Sequence, residues 1–190
     1  MSARNTEFLD RLTFDACCDF FAAHGVSLER RPASPLAATG DTTDTSCGGL
    51  IAFTSPAISG SLFVVGSFAF LASCRPPQVT RALAPSSSTD WILIRDWSME
   101  IANQLLGRMR NRLYRYGISL DAKAPTAVSG VPLAISIRGR RSDPLQFLAS
   151  GRHSLRVWLD AALGSEFDAA LDGGPVNPAG VPREGDVIIF

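Results

Sequence analysis

From residue 91 to 116 the apolar side chains recur at the spacing of an α-helix, and that recurrence limits what the chain can fold into. At about 100° per residue, Ile101, Ala102, Leu105, Leu106, Met109, Leu113 and Tyr116 fall on one side. A stripe this broad needs a second apolar surface to cover it. Residues 47–54 and 60–66 read as two strands joined by a turn over 55–59, and the run SLFVVG in the second is β-branched and aromatic. A further helix over 7–24 brings Phe8, Leu12, Ala16, Phe20 and Ala23 near one line, and Gly25 stops it. A short helix over 67–74 ends before Pro76 and Pro77, and Gly117 ends the long one.

After the long helix, extended segments are expected at 118–123, 131–138 and 153–160, and the terminal GDVIIF can add an edge strand. The order is helix then strands, twice over. It predicts an α+β fold: two αβ halves sharing one mostly antiparallel sheet with helices packed on it. One domain over residues 1–190 is expected, with mobile loops near 32–46 and 84–89. Residues 164–185 are rich in Gly and Pro and read as irregular.

Formal net charge is zero, with 18 basic and 18 acidic residues. Nucleic-acid and anionic-membrane binding normally draw on a basic excess, so neither is expected. No stretch of about 20 apolar residues is present to span a bilayer. The start, MSARNTEFLDR, has no apolar run after its charges and does not read as a signal peptide. Cys17, Cys18, Cys47 and Cys74 form no CxxC pair, and His24 and His153 are the only histidines. Free thiols in a reducing cytoplasm are expected, with no metal site.

Opposite the apolar stripe of the long helix lies a second line: Asp96, Glu100, Asn103, Gly107 and Asn111. Asn and Gly are poor helix formers, and an interior Gly costs about 1 kcal/mol relative to Ala. An indifferent wet face more often carries Lys, Glu, Gln or Arg. Gly107 also removes a side chain and opens room for a partner. A line of acid, amide and gap suits a docking surface, while a plain solvated face accounts equally for its periodicity.

Asn has no useful proton affinity and cannot serve as a general base. Its amide can orient a water molecule with one donor and one acceptor. Phosphoryl transfer is a reaction for which that suffices, because positioning and electrostatics supply most of the rate. A Glu one turn away can anchor such an amide by pairing with a partner's Lys.

The segment DWSMEIANQLLGRMRNRL resembles the phosphatase helix of the CheC/CheX/FliY chemotaxis phosphatases. The motif of that family is an Asp or Ser, three residues, Glu, two residues, Asn, about 22 intervening residues and a Pro. Asp96, Glu100 and Asn103 match in order and spacing, and Pro125 follows after 21 intervening residues (104–124), one short. The resemblance is densest over about 90–130 and compatible over 47–75. It implies dephosphorylation of a phosphorylated CheY-type response regulator. Asn103 would position the attacking water, Glu100 would dock onto a Lys of the regulator, and Asp96 would shape the helix start or assist docking. Any Mg²⁺ would sit on the regulator. The first helix carries no ExxN, so one site per chain points to the CheX-like branch. A homodimer goes with that branch, with strands near the C-terminus as the edges to pair.

Two other functions compete. A non-catalytic adaptor of the same fold would dock a response regulator or another partner without removing phosphate. A serine hydrolase would need Ser59, His153 and Asp160, but AISGS lacks the glycine pattern of a nucleophile elbow. The patch Arg138, Arg140 and Arg141 suits either an acidic partner or a solvated turn.

Overall fold

The computed structural model describes residues 2–31, 46–75, 87–130, 145–149 and 153–175. Helix α1 (Ala3–Ala23) leads into strand β1 (Leu28–Arg31). Strands β2 (Ser46–Thr54) and β3 (Ile58–Ser67) are followed by α2 (Phe68–Ser73) and the long α3 (Ser88–Tyr114). The chain continues through β4 (Asp121–Ala122), β5 (Thr126–Gly130), β6 (Leu145–Ala149) and β7 (His153–Leu163) to α4 (Ser165–Asp172). Among the described residues seven strands form one sheet in the order β1-β6-β7-β3-β2-β4, with β5 also on β2, and each of these pairings is antiparallel. The α+β class and the sharing of one sheet are as the sequence predicts.

Helix α1 begins at Ser2, whose hydroxyl accepts from the Asn5 amide, and its stripe of Leu9, Leu12, Ala16, Phe20 and Phe21 is buried. Helix α3 is capped by Ser87, which accepts from the Asp90 amide. At about 1.5 Å per residue, its 27 residues make a rod of roughly 40 Å. Its buried side, Ile94, Trp97, Ile101, Ala102, Leu105, Leu106, Met109 and Leu113, packs chiefly on β2, with α1 alongside. Trp97 is in the core and Trp91 packs against its margin, its ring 4.7 Å from that of Phe68. The strands contribute alternate residues to the same core: Cys47, Ile51 and Phe53 from β2, Leu62 and Val64 from β3, Leu155 and Val157 from β7. Phe63 and Trp158 are cross-strand partners on the opposite face, their rings 5.6 Å apart.

One glycine fixes how closely α3 can lie. A Cβ on Gly49 would stand 2.1 Å from the backbone oxygen of Ser98. Only a residue without a side chain lets β2 and α3 meet there. Ser98 is buried, donates to the Arg95 carbonyl at 2.7 Å and has its Oγ 3.6 Å from Cys47 Sγ.

Several expectations need correction. Residues 165–172 are a helix and not part of an irregular stretch: Phe167 and Leu171, four apart, bury one face, and Asp168 accepts from the buried Asn5 side chain at 2.7 Å. The Gly and Pro content that masked this helix lies mostly beyond it. Ser88 and Thr89 belong to α3 and not to a loop, because the cap sits at Ser87. Ser46 opens β2, and the turn after β2 closes by residue 57, where Ser55 accepts from the Ile58 amide at 3.0 Å. Strands β1 and β6 had no predicted counterpart; β1 (LERR) is a charged strand without alternation, at the edge of the sheet among the described residues. The expected strand at 131–138, the GDVIIF strand, residues 32–45 and 84–86, and the arginines 138, 140 and 141 lie outside the described residues.

The four cysteines are free. Cys17, Cys47 and Cys74 are buried, and burial pushes their thiols up, that of Cys74 to about 11, so they stay protonated at neutral pH. Among the described residues no helix is long and apolar enough to cross a membrane.

Candidate functional site

The polar line predicted on the long helix is real and outward-facing. Asp96, Glu100 and Asn103 are exposed, Gly107 and Asn111 are half-buried, and the apolar stripe behind them is in the core. The packing of α3 explains the arrangement. Burying Ile101, Ala102 and Leu105 against β2 turns positions 96, 100 and 103 to solvent, because a helix has two sides only 180° apart. Glu100 and Asn103 are neighbours in the i, i+3 sense, so the carboxylate and the amide stand on one patch.

Asp96 does not shape the helix start. The helix begins at Ser88, with Ser87 as cap and the buried Asp90 in the first turn. Asp96 is two turns further along, too far for a capping role, and it stays with the exposed line. Gly107 faces open space, with nothing within 4 Å of the position a Cβ would take. No part of this chain among the described residues uses the gap. Gly107→Ala is therefore expected to stabilise the protein by about 1 kcal/mol through helix propensity. Urea unfolding measures this, and a lower midpoint would mean that the position is more crowded than its geometry indicates.

Two residues of this face were not singled out by the sequence. The Gln104 side-chain amide donates to Glu100 Oε1 at 2.6 Å. Ile92, one turn before Asp96, is 53% exposed, the most exposed large hydrophobic side chain among the described residues, ahead of Tyr114 at the far end of the same helix. Both stand at i+4 or i−4 from the motif residues, so the helical spacing alone could have found them.

The hydrolase grouping does not assemble. His153 and Asp160 lie seven residues apart on β7, roughly 23 Å at about 3.3 Å per residue. Ser59 pairs with Ala162, at the Asp160 end of that strand. Among the described residues no group of three or more His, Cys, Asp or Glu is placed to hold a metal ion. The motif's Pro125 is half-buried between β4 and β5, both of which pair with β2, the strand beneath α3.

No family model matches the chain, and no curated protein matches it in sequence. Solved structures do match it in fold. CheX of Vibrio vulnificus is 16% identical with a TM-score of 0.60, over 80% of this chain and 95% of that one. CheX of Borrelia burgdorferi, solved as a CheX-CheY-BeF3-Mg+2 complex, is 13% identical with a TM-score of 0.61, over 81% of this chain and 94% of that one. A CheC-like superfamily protein from Shewanella sp. PV-4 is 17% identical with a TM-score of 0.54, over 85% of this chain and 99% of that one. The chain thus has the α+β architecture of CheX and CheC-like proteins.

Proposed function

We propose that the protein accelerates hydrolysis of the aspartyl-phosphate of a CheY-type response regulator, with Asn103 positioning the attacking water and Glu100 docking the regulator. The observation that carries this reading is the exposure of Glu100 and Asn103, three residues apart, on the outer side of a helix whose other side is locked to the sheet. An amide that has to hold a water in line with a partner's phosphoryl group is best carried on a rigid element. A long helix packed by eight buried apolar side chains is such an element. The CheX-like fold, and the association with CheY of one protein that shares it, agree with this choice of partner.

The chemistry asks little of this chain. Water attacks the acyl-phosphate phosphorus, the aspartate carboxylate leaves, and inorganic phosphate is released with the water's proton. The Asn103 amide accepts a hydrogen bond from the water and donates one to a phosphoryl oxygen or to the water's own oxygen, holding the line of attack. Glu100 supplies the charge that meets a regulator lysine, and the unfilled position at Gly107 leaves room for the partner's backbone. Any Mg²⁺ belongs to the regulator.

The test is phosphate release from a regulator of the same genome charged with acetyl phosphate. Wild type is expected to speed the release. Glu100→Ala is expected to raise the half-saturating concentration about tenfold, between the values typical of exposed and of desolvated ion pairs, and to recover at high concentration. If the wild-type protein binds the phosphorylated regulator without speeding release, the adaptor function replaces the catalytic one.

A further inference from the structure

We propose that Gln104 is a positioning residue, whose amide holds the Glu100 carboxylate ready, without pairing it with a positive charge, for a cation of the phosphorylated partner. The inference rests on the function proposed for α3. Its starting point is the 2.6 Å hydrogen bond from Gln104 Nε2 to Glu100 Oε1. Glu100 is exposed, whereas Gln104 is half-buried and has less freedom of its own. The bond thus ties a mobile side chain to a steadier one. A glutamate left to itself loses considerable rotamer freedom on docking, and a side chain already held loses less.

The neighbours of Glu100 make the choice of glutamine telling. On a helix surface the adjoining positions are three and four residues away. For Glu100 these are Asp96, Trp97, Asn103 and Gln104. None is a cation, in a chain with 18 basic residues and five arginines on α3 itself or at its C-cap. Lysine or arginine at i+4 would also orient the carboxylate, but would neutralise it at the same time. Glutamine orients without neutralising. A carboxylate has about four acceptor sites, so the Gln104 bond leaves Oε2 and a second lone pair on Oε1 for an incoming ammonium. Asp96, one turn earlier and also exposed, adds a second negative charge to the same patch. The chemistry that fits is a protein aspartyl-phosphate with a lysine beside it.

Two variants separate orientation from charge. Gln104→Met keeps the length and helix propensity and removes the hydrogen bond. Gln104→Arg keeps a donor and adds the neutralising charge. With a receiver protein phosphorylated by acetyl phosphate as probe, Gln104→Met is expected to raise the half-saturating concentration about threefold, and Gln104→Arg about tenfold at low salt, with maximal rate unchanged. In a Glu100→Ala background neither substitution is expected to matter. Nuclear magnetic resonance adds a readout independent of turnover: the Gln104 side-chain amide protons are expected to move upfield in Glu100→Ala. Wild-type kinetics in both variants, a fall in maximal rate, or equal effects with and without Glu100, would each overturn the role of Gln104 while leaving the phosphatase function standing. Absence of both binding and acceleration by wild type would instead remove the function of α3, and the role of Gln104 with it.

Discussion

Asn103→Ala is expected to lower the acceleration of phosphate release about 10²- to 10³-fold, the scale on which single positioned hydrogen-bond groups act in transition states, while binding of the phosphorylated regulator stays within about twofold. The side chain is exposed. Surface substitutions of this kind change stability by about 0.5 kcal/mol or less, and alanine is the better helix former. A thermal midpoint equal to or slightly above wild type should therefore accompany the loss of activity. That combination is diagnostic: an inactive variant that is as stable as wild type and still binds has lost positioning alone. Equal release by wild type and variant would remove Asn103 from the mechanism. Asn103→Asp sharpens the point, because it keeps an acceptor, loses the donor and brings a negative charge toward the phosphoryl oxygens. It is expected to be at least as inactive as the alanine variant.

The second large effect is structural and lies behind the site. Gly49→Val is expected to destabilise the fold by about 3 kcal/mol, the upper part of the range for overpacking a well-filled core. The contact it breaks is between backbone and backbone: a Cβ at that position would meet the Ser98 oxygen at 2.1 Å and its carbon at 2.8 Å. No change of rotamer can relieve that contact, so α3 must move off β2 or the strand must bend. Ser98 lies two residues before Glu100, and any displacement is passed to the docking face. Phosphate release should therefore fall even under conditions where the variant remains folded. Urea unfolding and release kinetics on the same preparation read both effects. A stable and fully active Gly49→Val protein would mean that α3 and β2 are not as close as the structure places them.

The two substitutions also mark what was legible in the residues. The line Asp96, Glu100, Asn103, Gly107 could be read in sequence because helix periodicity is local: residues three and four apart share a face whatever the rest of the chain does. The buried stripe of α3, the strands β2 and β3 and the short α2 were legible for the same reason, each carrying its own repeat or apolar run. Strand β1 was not, because LERR has no alternation and becomes a strand only by pairing with β6. Strand β6 is short, and its partner β7 defines it. Helix α4 was hidden by the glycines and prolines around it, although Phe167 and Leu171 stand at helical spacing.

The sequence by itself determined that one helix would present an acid, an amide and a gap on a single side, and that a mostly antiparallel sheet would lie on the other. Only the tertiary structure decided that this side stays uncovered by the described residues, that Gly49 is the point where helix and sheet touch, that Asp96 sits too far inside the helix to cap it, and that Gln104 takes hold of Glu100. The division has a physical cause. A repeat along the chain fixes which residues share a face. What lies against that face, and which rotamer a side chain adopts there, depends on residues far away in sequence that meet only when the chain folds.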